Sequence, residues 1–412
     1  MSGQKTERLH SLDSLRAIMM MLGIVLHAAI TYIGGEPSFG WPMRDPSADS
    51  EFLLWLLVII HNFRMPIFMV VAGFFAALLF YERSPKKMLI NRVNRLVFPF
   101  VVFVLLLWPL VTMAFSYSND IFGFSEEIES VIGSGYMNLT IYSFSELKNL
   151  IRGSTMHLWF IYYLIMFSLV SFGIGMLFKK MPTIESKIKK TFETIIQAPI
   201  KKLILFTFLN FVILLIMNDS WVSTSTSFTP DSGTFLFYIY FYFFGWILFK
   251  SKHYLSSFMD YDWLYSILAV LVFTTYHFAD TSLFSTELSA LIKSLSVWLF
   301  VFGFTGLFLR FFSHHSARMR YVSDSAYWVY LLHLPLVAFV PGLISDWNIP
   351  DVLKFSIVVA ATGIVCFVTY HYFVRTSFIG RFLNGKKYSR KLSDIKHAPI
   401  TKQSQSPILE QQ

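Results

Sequence analysis

Apolar residues in this chain come in blocks of roughly bilayer-crossing length, separated by short stretches where charge, proline, glycine and serine collect. The blocks fall at 14–34, 55–80, 96–116, 157–178, 203–218, 234–250, 262–279, 288–309, 325–345 and 352–374. Each is near the ~20 residues that a helix needs to cross a bilayer, whereas a barrel would show shorter alternating segments. The pattern predicts an all-α polytopic membrane protein with about ten transmembrane helices. The blocks at 203–218 and 234–250 are short, and 262–279 is the weakest. A single transmembrane domain is expected over 10–380, with a basic, disordered tail over 381–412. The first block is full length and no small-residue cleavage site follows it, so no cleavable signal peptide is expected.

Composition agrees with this picture. Hydrophobic residues make up 55% of the 412 positions and charged residues 14%, and Phe alone occurs 45 times. A soluble domain would show about 45–50% and about 25%, so an ordinary soluble globule is excluded. The net charge of +9 could suggest nucleic acid, but the position of the charges argues against it. Of 34 Lys and Arg, 28 lie in the N-terminal segment, 81–95, 179–202, 250–261, 310–324 and the tail. Only Arg44, Lys148, Arg152 and Lys354 lie in the alternate loops, and Arg64 and Lys293 fall within spans. This asymmetry predicts both termini in the cytoplasm, with membrane lipids and no nucleic acid as partners. The opposite loops are acidic, with Glu36, Asp45, Asp49 and Glu51 in one and Asp120, Glu126, Glu127 and Glu129 in another. Cys366 is the sole cysteine, so no internal disulfide can form.

Two loops exceed what a connector needs. The outward stretch 117–156 carries Tyr117, Phe122, Phe124, Tyr136, Tyr142 and Phe144, and Leu147, Leu150 and Ile151 have the spacing of a short interfacial helix. It could cap the bundle or form a platform for a sugar or lipid acceptor. The inward stretch 179–202 sets Ile184, Ile188, Phe192 and Ile195 on one helical face beside Lys187, Lys189 and Lys190, the pattern of a helix lying on anionic headgroups.

Ionisable groups inside a bilayer are expensive and raise a functional hypothesis. The first helix opens Leu12-Asp13-Ser14-Leu15-Arg16 and carries His27 eleven residues after Arg16. At 100° per residue the two return to within about 20° of one another, on one face, about 16 Å apart along the axis. That face offers an anion anchor at one end and a candidate general base deep inside. The bland alternatives are a positive-inside anchor and a bundle histidine bonded to a neighbour. In the second helix His61 and Arg64 are i, i+3 neighbours just before Pro66, and an arginine there must face protein or water. Arg92 and Arg95 form a further i, i+3 pair in the loop before the third helix. Paired guanidiniums suit phosphate or pyrophosphate, although lipid headgroups would serve as well. His157 opens the fourth helix at the outer surface, beside Trp159, whose position is ordinary for an aromatic belt. Tyr330 and His333 precede Pro335 late in the chain. No glycine-rich nucleotide loop, Cys/His metal spacing or nucleophile elbow occurs, so neither a metal nor a permanently bound cofactor is expected.

At these residues the chain resembles acyltransferase family 3. The match is Arg16-x10-His27, Arg92-x-x-Arg95, the Phe-rich run ending Ala72-Gly73-Phe74, and Tyr330-x-x-His333-x-Pro335, over about residues 10–380. Leu12-Asp13-Ser14-Leu15-Arg16, His61-Asn62-Phe63-Arg64-Met65, His157-Leu158-Trp159-Phe160 and Ser316-Ala317-Arg318 resemble the glucan biosynthesis branch, associated with succinylation of osmoregulated periplasmic glucans in Gram-negative bacteria. Ala72 departs from the Ser-Gly-Phe of many members, which bears on substrate detail more than on activity.

The resemblance implies a multi-pass enzyme of the bacterial inner membrane that moves an acyl group, succinyl or acetyl, from cytoplasmic acyl-CoA to a hydroxyl of a periplasmic glycan. It gives His27 and Arg64 catalytic roles as general base and oxyanion stabiliser. Asp13, Arg16, His61, Arg92, Arg95, His157, Trp159, Tyr330 and His333 would bind substrate. The competing reading is a transporter or flippase for a glycan or lipid-linked substrate, since intramembrane Arg64, His27 and Lys293 with broken helices would equally line a path.

Overall fold

The structure is a computed structural model, and it describes residues 9–35, 41, 43–123, 154–220, 224–280 and 284–391. Among these residues every regular element is a helix: α1 (His10–Ile30), α2 (Glu51–Leu78), α3 (Pro85–Arg92), α4 (Phe98–Phe122), α5 (Trp159–Lys180), α6 (Pro182–Ile196), α7 (Pro199–Met217), α8 (Ser232–Lys250), α9 (Asp262–Phe278), α10 (Thr286–Phe311), α11 (Ala317–Leu343), α12 (Asp351–Thr369) and α13 (Phe378–Asn384). The starts are chemically marked. Ser50, Ser84, Asp231, Ser285 and Ser316 each accept a hydrogen bond from a backbone N–H in the first turn of the helix they precede. Pro85, Pro182 and Pro199 each stand at a first position, where their missing N–H costs nothing.

Nine of the described helical runs are long and apolar enough to cross a membrane. Lys252–Phe258 and α9, bent by 63° at Met259–Tyr261, supply a tenth when taken as one broken span. This is the block that reads weakest from hydropathy, because α9 alone is only 17 residues long. The protein is therefore an all-α, multi-pass membrane protein. The third span departs from expectation. Arg92 and Arg95 do not lie in a loop: α3, a π turn at Val93–Val97 and α4 form one helical run from Pro85 to Phe122. Hydropathy reports only the lipid-immersed part of that run, while Lys86, Lys87, Arg92 and Arg95 continue the same helix beyond it. The run also absorbs Tyr117 and Phe122, so the aromatic loop begins later than expected, and Tyr117 packs on Phe339 of α11 with ring centroids 4.7 Å apart. The interfacial helix expected at Leu147–Ile151 lies outside the described residues. The helix expected on headgroups appears as α6, which buries Phe192 and Ile196 and leaves Ile184 and Ile188 exposed.

The centre of the bundle is α2, with 78% of its apolar window buried, against 28% for α7 and for the run that α12 opens. Its main partner is α8. A Cβ on Gly73 would fall 1.9 Å from the Tyr242 carbonyl oxygen, and one on Gly245 would fall 1.8 Å from that of Val70. The two backbones therefore touch directly, the close approach that small residues allow between membrane helices. On its other side α1 lies between α2 and α11, and α11 packs on α4 and α12. This arrangement turns the Arg16–His27 face of α1 toward the middle of the protein.

Candidate active site

Two cavities lie one above the other along that face. The first, a vestibule of about 270 Å³ at the N-terminal end of α1, is lined by Arg16, Arg92, Arg95, Asn91 and Tyr327 among others. Arg16 is set by an ion pair to Asp13 at 3.1 Å and lies over the Phe75 ring at 5.3 Å. Asp13 thus orients Arg16 and is not among the residues that line the cavity. Arg95 donates to the carbonyls of Leu383, at 2.6 Å, and of Asn384, and its own carbonyl accepts from Tyr327 Oη at 2.8 Å. Its fork is spent on the last carbonyls of α13. Arg92 differs: its Nε and Nη2 are buried with no hydrogen-bond partner among the described residues. A guanidinium left unsatisfied in a basic cavity is poised for an anion.

The second cavity is a chamber of about 20 Å³, room for little more than one water, deeper along α1. It is lined by His27, Arg64, His157, Trp159 and His333, and shares Met20, Phe68, Phe160 and Tyr330 with the vestibule. Those four side chains form the partition between the two spaces. The rings of His27 and His333 are 5.2 Å apart, as are those of His157 and His333. His333 Nδ1 lies 2.7 Å from the Tyr330 carbonyl and His157 Nε2 lies 3.2 Å from that of Leu331. A carbonyl can only accept, so these nitrogens carry the protons. The free lone pairs are then His333 Nε2 and His157 Nδ1, both buried without a partner. His27 Nδ1 is likewise unpartnered. Arg64 Nη2 reaches only Met65 Sδ, at 3.6 Å, and no carboxylate pairs with it among the described residues. Three histidines and an unpaired guanidinium thus converge on one small space, which can accept a proton and hold developing negative charge.

The local sequence explains how they converge. Met156 adopts φ 52°, a costly conformation for a residue with a side chain, and opens the 3-10 turn Met156–Leu158. The turn is pinned by Thr155 N and Oγ1 on the Thr226 carbonyl, at 2.6 and 2.7 Å, and by Ser154 Oγ accepting from Met156 N at 2.9 Å. It throws His157 inward, where Tyr330 Oη bonds its carbonyl at 2.5 Å. Trp159 is therefore not a belt residue. It is buried, lines the chamber and packs on Tyr238. His61 does not line the chamber with Arg64; it borders a separate small cavity with Asn210, Tyr238 and Lys293.

Two contributors escape sequence reasoning. Gly23, one turn before His27, leaves the space that the Arg64 guanidinium fills. Its only signal is an isolated glycine inside a helical pattern. Trp41, from the segment between α1 and α2, stacks on the His27 ring at 5.4 Å and 21°. Nothing in the pattern of the chain singles it out.

A family model described as an acyltransferase domain, Acyl_transf_3, matches residues 9–371. The chain belongs to acyltransferase family 3. It is a multi-pass membrane acyltransferase, and the match takes in the whole chamber and all of the vestibule lining except Leu383 and Asn384. Among similar proteins, Glucans biosynthesis protein C of Escherichia coli (strain K12) is 26% identical over 363 residues, covering 83% of this chain and 86% of that protein. The protein of the same name from Escherichia coli O157:H7 is 26% identical over 367 residues, with the same shares covered. No solved structure matches this chain significantly.

Proposed function

We propose that this acyltransferase takes a succinyl or acetyl group from a coenzyme A thioester in the cytoplasm and transfers it to a hydroxyl of a periplasmic glucan or related glycan. The observation that carries the reading is the pair of cavities on one face of α1, a basic vestibule leading to a histidine chamber through a partition of Met20, Phe68, Phe160 and Tyr330. Arg16 and Arg92 would hold the phosphates of the donor, with the pantetheine arm passing the partition. Arg95, whose fork is engaged by Leu383 and Asn384, would contribute its field more than a direct bond. His27 would take the proton of the attacking hydroxyl, a role typically worth about 10²–10⁴-fold. Arg64, unpaired and beside it, would stabilise the oxyanion or a carboxylate on the acyl group. His157 and His333, with free lone pairs on the same space, would orient the acceptor. The name of the glucan biosynthesis relatives supports a glycan acceptor, and the clustering of Lys and Arg at the vestibule end supports cytoplasmic termini in the inner membrane.

The test is calorimetry of coenzyme A on the purified protein, with release of free thiol from succinyl- or acetyl-CoA in the presence of glucan. Arg92→Ala is expected to weaken binding by about 1.5–3 kcal/mol, roughly 10–150-fold. His27→Ala is expected to leave binding intact and reduce thiol release to less than about a tenth. Absence of coenzyme A binding to the wild-type protein would overturn the donor assignment.

A further inference from the structure

His27 has a further neighbour on the side away from the vestibule, behind the residues that line the chamber. Trp41 is 3% exposed. One part of its indole lies on the His27 ring, another meets Phe115 of α4 edge-on at 5.0 Å and 87°, and its Nε1 donates to Thr31 Oγ1 at 3.2 Å. The segment that carries it is fastened to the end of α1 by bonds to three successive backbone carbonyls. Arg44 Nη1 donates to the Ile30 carbonyl at 2.6 Å, Asp45 N to that of Thr31 at 2.9 Å, and Ser50 N to that of Tyr32 at 3.2 Å. Asp45 is further held by a buried ion pair to Lys354 of α12 at 2.7 Å. The indole is thus held between α1 and α4 while α12 fastens the segment behind it, and it covers the His27 ring over the face that an acceptor arriving from this end must reach.

We propose that Trp41 is a positioning residue for the transfer reaction: its indole seals His27 from water on the acceptor side and yields its place only to the acceptor. The proposal rests on the reading of His27 as general base. A seal matters chemically because water is a competing nucleophile. Without the indole, a water oxygen would bond to the thioester carbonyl carbon and the C–S bond would break. The proton of water would pass through His27 to the departing thiolate, leaving a free acid and a thiol with nothing acylated. Exclusion of water from such a site is a recognised contribution to selectivity.

The experiment uses the purified full-length protein and the variants Trp41→Ala, Trp41→Phe and Thr31→Val. Modification of His27 by diethylpyrocarbonate, followed by peptide mass spectrometry, reports access directly and does not depend on any acyl donor. Trp41→Ala is expected to speed His27 modification at least about tenfold, and Trp41→Phe, which keeps a ring on His27, to stay near wild type. Hydrolysis of succinyl- or acetyl-CoA without acceptor should rise in Trp41→Ala while transfer to glucan falls, a change of partition that simple loss of folded protein cannot produce. Faster His27 modification without thiol release from either donor would leave the seal standing and remove the donor assignment beneath it. If Trp41→Ala does not fold, Thr31→Val decides: it removes only the indole's hydrogen-bond partner and should raise His27 modification severalfold. Unchanged His27 modification in every variant that folds would overturn the proposal.

Discussion

Gly23 and Arg64 compete for one volume: a Cβ on Gly23 would lie 2.9 Å from Arg64 Nη1 and 3.5 Å from His333 Nε2. The guanidinium is the far end of a flexible side chain and can retreat, but its retreat takes it out of position in the chamber. Gly23→Ala is therefore expected to cost acyl transfer about 10–100-fold, since a displacement of about 1 Å at a reacting centre can carry that penalty. Stability should change by less than about 1 kcal/mol, because helix propensity gains roughly what crowding loses. Thiol-release kinetics and thermal unfolding of the purified variant check both halves. Wild-type turnover would mean that Arg64 does not act from this position.

The Asp45–Lys354 pair fastens the segment that carries Trp41, and both side chains are only 4% exposed. Lys354 also donates to the Ser345 carbonyl at 3.3 Å. Removing one member of a buried pair strands the other. Lys354→Ala should therefore destabilise the protein by about 3–5 kcal/mol, while Asp45→Asn with Lys354→Met should recover most of the loss. Unfolding in detergent, followed for the single and double variants, separates these outcomes. A single variant as stable as wild type would show that the pair is not buried in the bilayer-embedded protein.

Glu185 of α6 should give the fold an acid-sensitive joint. Burial pushes its carboxyl up, but hydrogen bonds from Lys250 and from Tyr81 Oη, the latter at 2.8 Å, outweigh that and hold it below the usual carboxylate range. A carboxyl depressed on folding lends stability above its unfolded value and loses it as pH falls through the folded one. Stability should accordingly decline below about pH 4.3 in the wild type and flatten there in Glu185→Gln. Unfolding midpoints of both proteins across pH 3–6 make the comparison, and parallel curves would remove Glu185 as the cause.

Legibility from sequence divides along physical lines. Spans were readable because lipid demands long apolar runs, and the Arg16–His27 face because helical periodicity is rigid. The inward turn of His157 and Trp159 was not readable, because it depends on a backbone conformation at Met156 that no residue-type preference announces. Arg95 reads as a phosphate ligand from spacing alone. Its engagement by Leu383 and Asn384 joins residues nearly 300 positions apart, which spacing cannot foresee. Gly23 and Trp41 matter only for what lies against them, so they carry no signal until neighbouring helices are in place.

Orientation in the membrane rests on the charge asymmetry and has a direct check. In a Cys366→Ala background, Ser47→Cys between α1 and α2 should be labelled by an impermeant thiol reagent on intact spheroplasts, and Ser186→Cys in α6 should be protected until the membrane is opened. Both serines are exposed in the fold, so access is governed by the bilayer. The reverse pattern would invert the protein and place the vestibule outside.

The backbone contact between α2 and α8 at Gly73 and Gly245 leaves no layer of side chains to slide upon. These two helices behave as a fixed frame. Arg64 rides on that frame, whereas His27 rides on α1, which packs on α2, and His333 on α11, which packs on α1. Admission of an acyl group thicker than the present chamber is therefore expected to come from α1 and α11 moving against that frame, with the Arg64 side chain adjusting from a fixed backbone. The distance from His27 to Arg64 then becomes the coordinate along which the enzyme opens.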